Sequence, residues 1–148
     1  MKSLSSLSNT TPNPQTNPAA SVNTVSLQQL VSRLLDSFIP VAVTKNSFII
    51  NDVDANLQLK ADEQVLAFVV GNLLTNAINS SKSVCIRVEA VKTETGVQIR
   101  VRHNGASYHS TVANSFSQVI EAARRLGGNI NIYNQAHEGT VISFYLAA

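Results

Sequence analysis

The sequence predicts an α/β fold of the two-layer kind, an α+β sandwich with three helices on one face of a mixed, mainly antiparallel sheet. Three observations predict it. From residue 25 onward the apolar spacing switches between helical and strand periods in the order helix–strand–strand, three times over. Two segments alternate strictly, Val84, Ile86, Val88 and Val97, Ile99, Val101, so each offers a single apolar face. With 44% hydrophobic residues in 148, the chain can bury one sizeable core, and helices gathered on that face are the simplest way to cover it.

Each element has its own signal. Ser26 and Gln29 form a capping box before a helix whose Leu27, Leu30, Val31, Leu34, Leu35 and Phe38 share a face, and Pro40 is expected to stop it. "SFIIN" (47–51) and "NLQLK" (56–60) read as short strands split by the turn-prone 52–56 segment. Asp62 caps a second helix running to about Ser80, with Leu66, Val69, Val70, Leu73 and Ala77 inward. Two alternating strands follow, joined around "TETG". A third helix is predicted over roughly 114–126, with Phe116, Val119, Ile120, Ala123 and Leu126 on one face. Arg124 and Arg125 suit its C-terminal dipole, and Gly127–Gly128 end it. "NINIY" (129–133) and "TVISFYL" (140–146) form the last hairpin.

Residues 1–24 are different in kind. They are Ser, Thr, Asn and Pro, with three of the four prolines, and bury too little apolar surface to offset their ordering entropy. They read as a flexible leader to a domain spanning 25–148. Net charge is +2 without a Lys/Arg run, which argues against nucleic acid and against an anionic membrane surface. One cysteine, Cys85, leaves no internal disulfide and no multi-cysteine metal site, and it reads as a small core or edge residue. No apolar run reaches membrane length, and "MKSLSSLSNT" lacks a secretory apolar core, so no membrane insertion and a cytoplasmic location are expected.

The second helix carries the functional signal. "GNLLTNAINSS", 71–81, puts asparagines at 72, 76 and 79, although asparagine is a poor helix former. At 100° per residue, Asn72, Thr75, Asn76 and Asn79 form one polar stripe apart from Leu66, Leu73 and Ala77. Such a stripe faces solvent or a polar cavity, because a buried unpaired amide costs about 1–3 kcal/mol.

"ADEQVLAFVVGNLLTNAINSS" resembles the N box of histidine-kinase ATPase domains, the GHKL (HATPase_c) superfamily, with its pattern D-x-x-x-L-x-x-V-L-x-N-L-L-x-N-A-I-K-Y-S. "VQIRVRHNG" is similar to the strand entering the G1 box, and "SQVIEAARRLGGNINI…EGTVISFYL" to the closing helix and hairpin. From about 25 to 148 the order of elements matches, which implies the Bergerat-type ATP-binding fold. The resemblance further implies nucleotide contacts from Asn72, Asn76, Asn79, His103 and Gly105. Asn76 takes the place of the residue that binds the magnesium bridging the phosphates, and an amide oxygen is a suitable hard ligand. Asn72 sits where hydrolysing members hold a glutamate base. Asparagine cannot take a proton at neutral pH, so the position suits a kinase rather than an ATPase.

The departures from that pattern are as informative. The basic and aromatic residues that follow in the N box are Asn79 and Ser80 here. The G1 box, D-x-G-x-G, reads "HNGAS", with His103 for the adenine-binding aspartate and Ser107 for the second glycine. Only "ASYHSTVANS" separates Gly105 from the third helix, and "NSFS" (114–117) replaces the G2 glycines whose amides cradle phosphate. Losing a charged hydrogen bond and a phosphate cradle costs roughly 4–6 kcal/mol together, enough to take a micromolar site to millimolar or weaker. Lys82 reads as solvated, His103, Tyr108 and His109 as polar loop residues near the site mouth, and "HEG" (137–139) as a turn rather than a zinc motif.

Two function classes follow from the resemblance. The first is a degenerate, pseudokinase-like module of two-component signalling, phosphorelay included. It acts by binding a signalling protein such as a response regulator or a His-bearing dimerisation protein, and needs no cofactor. The alternative is an active histidine protein kinase domain binding ATP and Mg and working with a separate His-bearing domain. A serine-kinase anti-sigma factor ranks below both, since those carry the glutamate that Asn72 displaces.

Overall fold

In the computed structural model, which describes residues 22–79, 83–104, 117–135 and 139–147, Ser26 takes the N-cap place that the sequence predicts. Ser26 Oγ accepts from the Gln29 backbone N–H at 3.5 Å and starts helix α1, Leu27–Thr44. Pro40 does not stop this helix, contrary to expectation. It removes one donor, but the turn beyond it is held by other means. Ala42 is buried, Thr44 Oγ1 donates to the Val41 carbonyl at 2.7 Å, and the Lys45 and Ser47 amides donate to Ala42 at 3.0 and 2.8 Å.

A strand that the periodicity did not signal, β1 (Val22–Ser26), precedes α1 and begins within the stretch read as leader. It pairs antiparallel with β3 (Gln58–Asp62), Val22 opposite Asp62 and Ser26 opposite Gln58. The second strand of the first cycle therefore leaves the main sheet. The reason lies in what the two-stranded ribbon does. Val25, Leu59 and Ala61 enter the core, and α1 begins where β1 ends, just as helix α2 (Glu63–Asn79) begins where β3 ends. Because the pairing is antiparallel, the ribbon sets the two helix starts at its opposite ends.

The main sheet has five strands in the order β2–β4–β5–β7–β6: β2 (Phe48–Asn51), β4 (Cys85–Lys92), β5 (Gly96–His103), β7 (Gly139–Ala147) and β6 (Gly128–Gln135). Only β2 and β4 run parallel. Alternation decides the faces. Ile86 and Val88, Val97, Ile99 and Val101, and Ile142, Phe144 and Leu146 are buried on one side, where α1 packs over β2, α2 over β5, and helix α3 (Ser117–Arg125) over β6. The other face carries Arg87, Glu89, Gln98, Arg100 and Arg102 in register, with Arg102 Nε 2.7 Å from Glu89 and Arg87 Nη1 3.1 Å from Asp52. Three helices on one face of a mixed, mainly antiparallel sheet is the architecture the sequence predicts.

The third helix is described over Ser117–Arg125, and Asn114 to Phe116, where its expected start falls, lie outside the described residues. Its end is as read. Leu126 N donates back to Ala122 at 3.2 Å and Gly127 takes φ +81°, a conformation glycine adopts without steric cost.

Candidate functional site

Helix α2 positions the asparagines. Asp62 Oδ1 accepts from the Gln64 and Val65 amides at 3.1 and 3.3 Å and fixes the helix start. Seven residues, Leu66, Val69, Val70, Leu73, Leu74, Ala77 and Ile78, then bury one side completely. The opposite side carries Phe68, 43% exposed, followed by the half-buried Asn72, Thr75 and Asn76 and the exposed Asn79.

These side chains answer their own backbone first. Asn72 Nδ2 donates to the Phe68 carbonyl at 2.7 Å, Asn76 Nδ2 to Asn72 at 2.9 Å, and Thr75 Oγ1 to Gly71 at 2.9 Å. This back-bonding one turn down is how short polar side chains settle on a helix that packs tightly behind them. Each of the two asparagines also carries an Oδ1 acceptor. A carbonyl-type oxygen is a ligand for a hard cation or an acceptor for a donor, and it carries no charge. Asn79 contributes through its backbone: its carbonyl accepts from Lys45 Nζ at 3.2 Å, placing a cation at the negative end of the α2 dipole. Lys45 is the residue that sequence reasoning missed. It lies thirty-four positions away in the chain, and no local pattern links it to the end of α2.

His103 is the last residue of β5, on the helix-facing side, between Ile86 on β4 and Thr140 on β7. It is 2% exposed, and desolvation lowers its pKa below the ordinary histidine value, so the ring is neutral at pH 7. The backbone here is crowded. A Cβ on Gly139, whose φ is +85°, would stand 2.2 Å from the His103 carbonyl oxygen, so this corner requires glycine. Asn104 Oδ1 accepts from the Cys85 amide at 3.4 Å and fastens the end of β5 to the start of β4. His103 and Asn104 line a cleft of about 250 Å³ together with Cys85, Arg87 and Arg102.

The described part of the site therefore comprises the α2 stripe and the β5 end, on adjacent layers, since α2 packs against β5. Gly105, together with Ser80, Lys82, Tyr108, His109 and His137, lies outside the described residues. A larger cavity, about 550 Å³, opens between α1 and the start of α2, lined by Leu30, Arg33, Leu34, Glu63 and Ala67 among others and bridged by the Arg33–Glu63 ion pair. None of the expected site residues lines it. Among the described residues, no group of three or more His, Cys, Asp or Glu could hold a metal ion.

Comparison with known proteins places this geometry. No family model matches the sequence, and no curated protein sequence matches it. Solved structures do. The Acinetobacter baumannii histidine kinase AdeS superposes with a TM-score of 0.75 at 14% identity over 85% of this chain and 66% of that one. The fold is that of a histidine-kinase catalytic domain. The isolated catalytic domain of histidine kinase ThkA, free of nucleotide, gives 0.71 at 19% identity over 85% of this chain and 97% of its own. A mycobacterial sensor histidine kinase, MprB, gives 0.70 at 16% identity over 84% and 96%. The near-complete coverage of the isolated ThkA domain matches the helix–strand–strand cycles to the fold of that catalytic domain. No helix of the described residues is long and apolar enough to cross a membrane.

Proposed function

We propose that this chain is a signalling domain that keeps the histidine-kinase catalytic fold, has lost useful ATP binding, and acts by binding a partner protein of a two-component pathway. One observation carries the reading: His103, buried and neutral, stands at the end of β5 where the resemblance puts a carboxylate. A carboxylate there accepts from the adenine amino group with a full charge. A neutral imidazole offers at most one uncharged acceptor, and its other nitrogen is a donor that the amino group repels.

The N box supports the same reading. Asn76 retains an amide oxygen of the kind that suits Mg²⁺, but Mg²⁺ is usually held jointly with substrate phosphates. The glycines that would present amides to those phosphates are replaced at 107 and 114–117. Asn72, its nitrogen tied to Phe68, has no basic group with which to activate water. The nucleotide-contact set read from the sequence, Asn72, Asn76, Asn79, His103 and Gly105, is on this reading a relic of the ATP site.

The partner class follows from the fold's relatives. ThkA forms a complex with the response regulator protein TrrA, and that arrangement is the model for a receiver or a His-bearing dimerisation protein docking here. The alternative, an active domain using Mg·ATP through Asn76, is favoured by that amide oxygen and by the structure of ShkA in complex with AMPPNP. Label transfer separates the two. The chain is mixed with the response regulator or His-bearing protein encoded beside it and with γ-labelled ATP and Mg²⁺. Partner binding without label on any protein supports the proposal. Label on a histidine of the partner, lost in Asn76→Ala, refutes it.

A further inference from the structure

We propose that β6 is a self-association edge: two copies of the chain pair their β6 strands antiparallel about Asn131, joining two five-stranded sheets into one of ten. The inference is independent of whether nucleotide binds.

Strand β6 is the last strand of the sheet, and among the described residues no other strand pairs with its outer side. Every second residue along it therefore turns its N–H and C=O away from β7, unpaired. Proteins usually blunt such an edge with a charge, a proline, a bulge or a short strand. None of these protects β6. It is eight residues long, pairs with β7 from Gly128 opposite Leu146 to Gln135 opposite Gly139 without a bulge, and contains neither a charged residue nor a proline. The opposite edge is protected. There β2 is four residues long, the Asn51 amide is tied to Gln28 O at 3.1 Å and Ser32 Oγ at 2.9 Å, and the Asp52–Arg87 ion pair stands at its end.

The sequence of the free strand matches itself. In a two-fold pairing centred on Asn131, Ile130 of one copy lies opposite Ile132 of the other, and Asn129 lies opposite Tyr133. The faces agree. Ile130 and Ile132 sit opposite the buried Phe144 and Ile142 of β7 and are only partly buried at the edge, so each copy completes the apolar cover of the other. Asn129 and Asn131 are exposed on the far face, where Asn131 Nδ2 already donates to Asn129 Oδ1 at 3.4 Å. Across the axis Asn131 meets Asn131, an uncharged donor–acceptor pair. This register pairs residues 128–134, and the others in this antiparallel sense set Ile against Asn or pair fewer residues. A second copy is thus the occupant this edge fits. The contact closes on itself because the same edge of both chains pairs about one two-fold axis. One strand pair buries less than the roughly 1,200–2,000 Å² of a stable interface, so the dimer is reversible and concentration-dependent.

Sedimentation velocity over a concentration series tests the association, and cysteine placement tests the register. The wild-type chain is expected to pass reversibly from monomer to dimer. Asn131→Lys, which sets two ammonium groups directly opposite, is expected to weaken the dimer about five- to tenfold with an unchanged melting curve. In a Cys85→Ser background, Asn131→Cys is expected to oxidise to a covalent dimer, because directly opposite Cβ atoms are about 4.5–5.5 Å apart. Asn129→Cys is not, since the two copies of residue 129 are separated by four residue steps, about 13 Å. A wild type that stays monomeric at every concentration, or equal cross-linking from 129 and 131, overturns the proposal. Should Asn131→Lys fold poorly, the cysteine pair decides alone.

Discussion

Acidification is predicted to destabilise the domain through His103, and His103→Asn is predicted to remove that component. The ring is 2% exposed, and desolvation holds its pKa below the ordinary value near 6.5. In the unfolded chain it titrates near 6.5. A depressed folded pKa means that the unfolded state binds the proton first. The stabilisation is complete above about pH 7.5 and is lost as pH falls from 6.5 through the folded value. Within that window one proton separates the two states, so unfolding free energy falls by up to about 1.4 kcal/mol per pH unit and levels off below it. Urea unfolding of wild type and His103→Asn at about pH 8, 7, 6 and 5 isolates the effect, because carboxylates and the other two histidines titrate equally in both. The gap between the two proteins is predicted to narrow toward low pH. Curves that fall in parallel from pH 7.5 to 5 would refute a buried neutral His103.

Further outcomes follow from the same corner and from the helix starts. Gly139→Ala is predicted to cost about 2–4 kcal/mol in chemical denaturation, because the residue holds φ +85° and its Cβ would meet the His103 carbonyl at 2.2 Å. Asp62→Ala removes the acceptor for two amides at the start of α2 and is predicted to cost about 1 kcal/mol, whereas Asp62→Asn retains most of it. Phe144→Ala, which empties the centre of the sheet, is predicted to cost about 3–5 kcal/mol. A Phe144→Ala cost near 1 kcal/mol would contradict the full burial of that ring in the core.

What the sequence could convey depended on how local each cause was. The periods of Leu66–Ile78 and of Val97–Val101 are dictated by which side is buried, so helix α2 and the central strands were legible residue by residue. Strand β1 was not. "VNTVS" has two apolar residues among polar ones, and its order comes from a partner at 58–62 and from Val25 entering the core. Pro40 misled for a related reason, since a buried Ala42 and three hydrogen bonds beyond it outweigh one missing donor. At the site, the angular separation of Asn72, Thr75 and Asn76 from the apolar side was readable, whereas His103, expected as a polar loop residue, is the buried last residue of β5. The Lys45 contact with Asn79 and the closure of Gly139 on His103 are long-range, and no spacing rule encodes them.

The central claim, a kinase-type pocket retained in shape and emptied of chemistry, is tested most directly by calorimetry with a non-hydrolysable ATP analogue and Mg²⁺, on the wild type and Asn76→Ala. No saturable heat from either protein, in a domain that melts cooperatively, is the predicted result. Micromolar binding by the wild type, lost in Asn76→Ala, would contradict it.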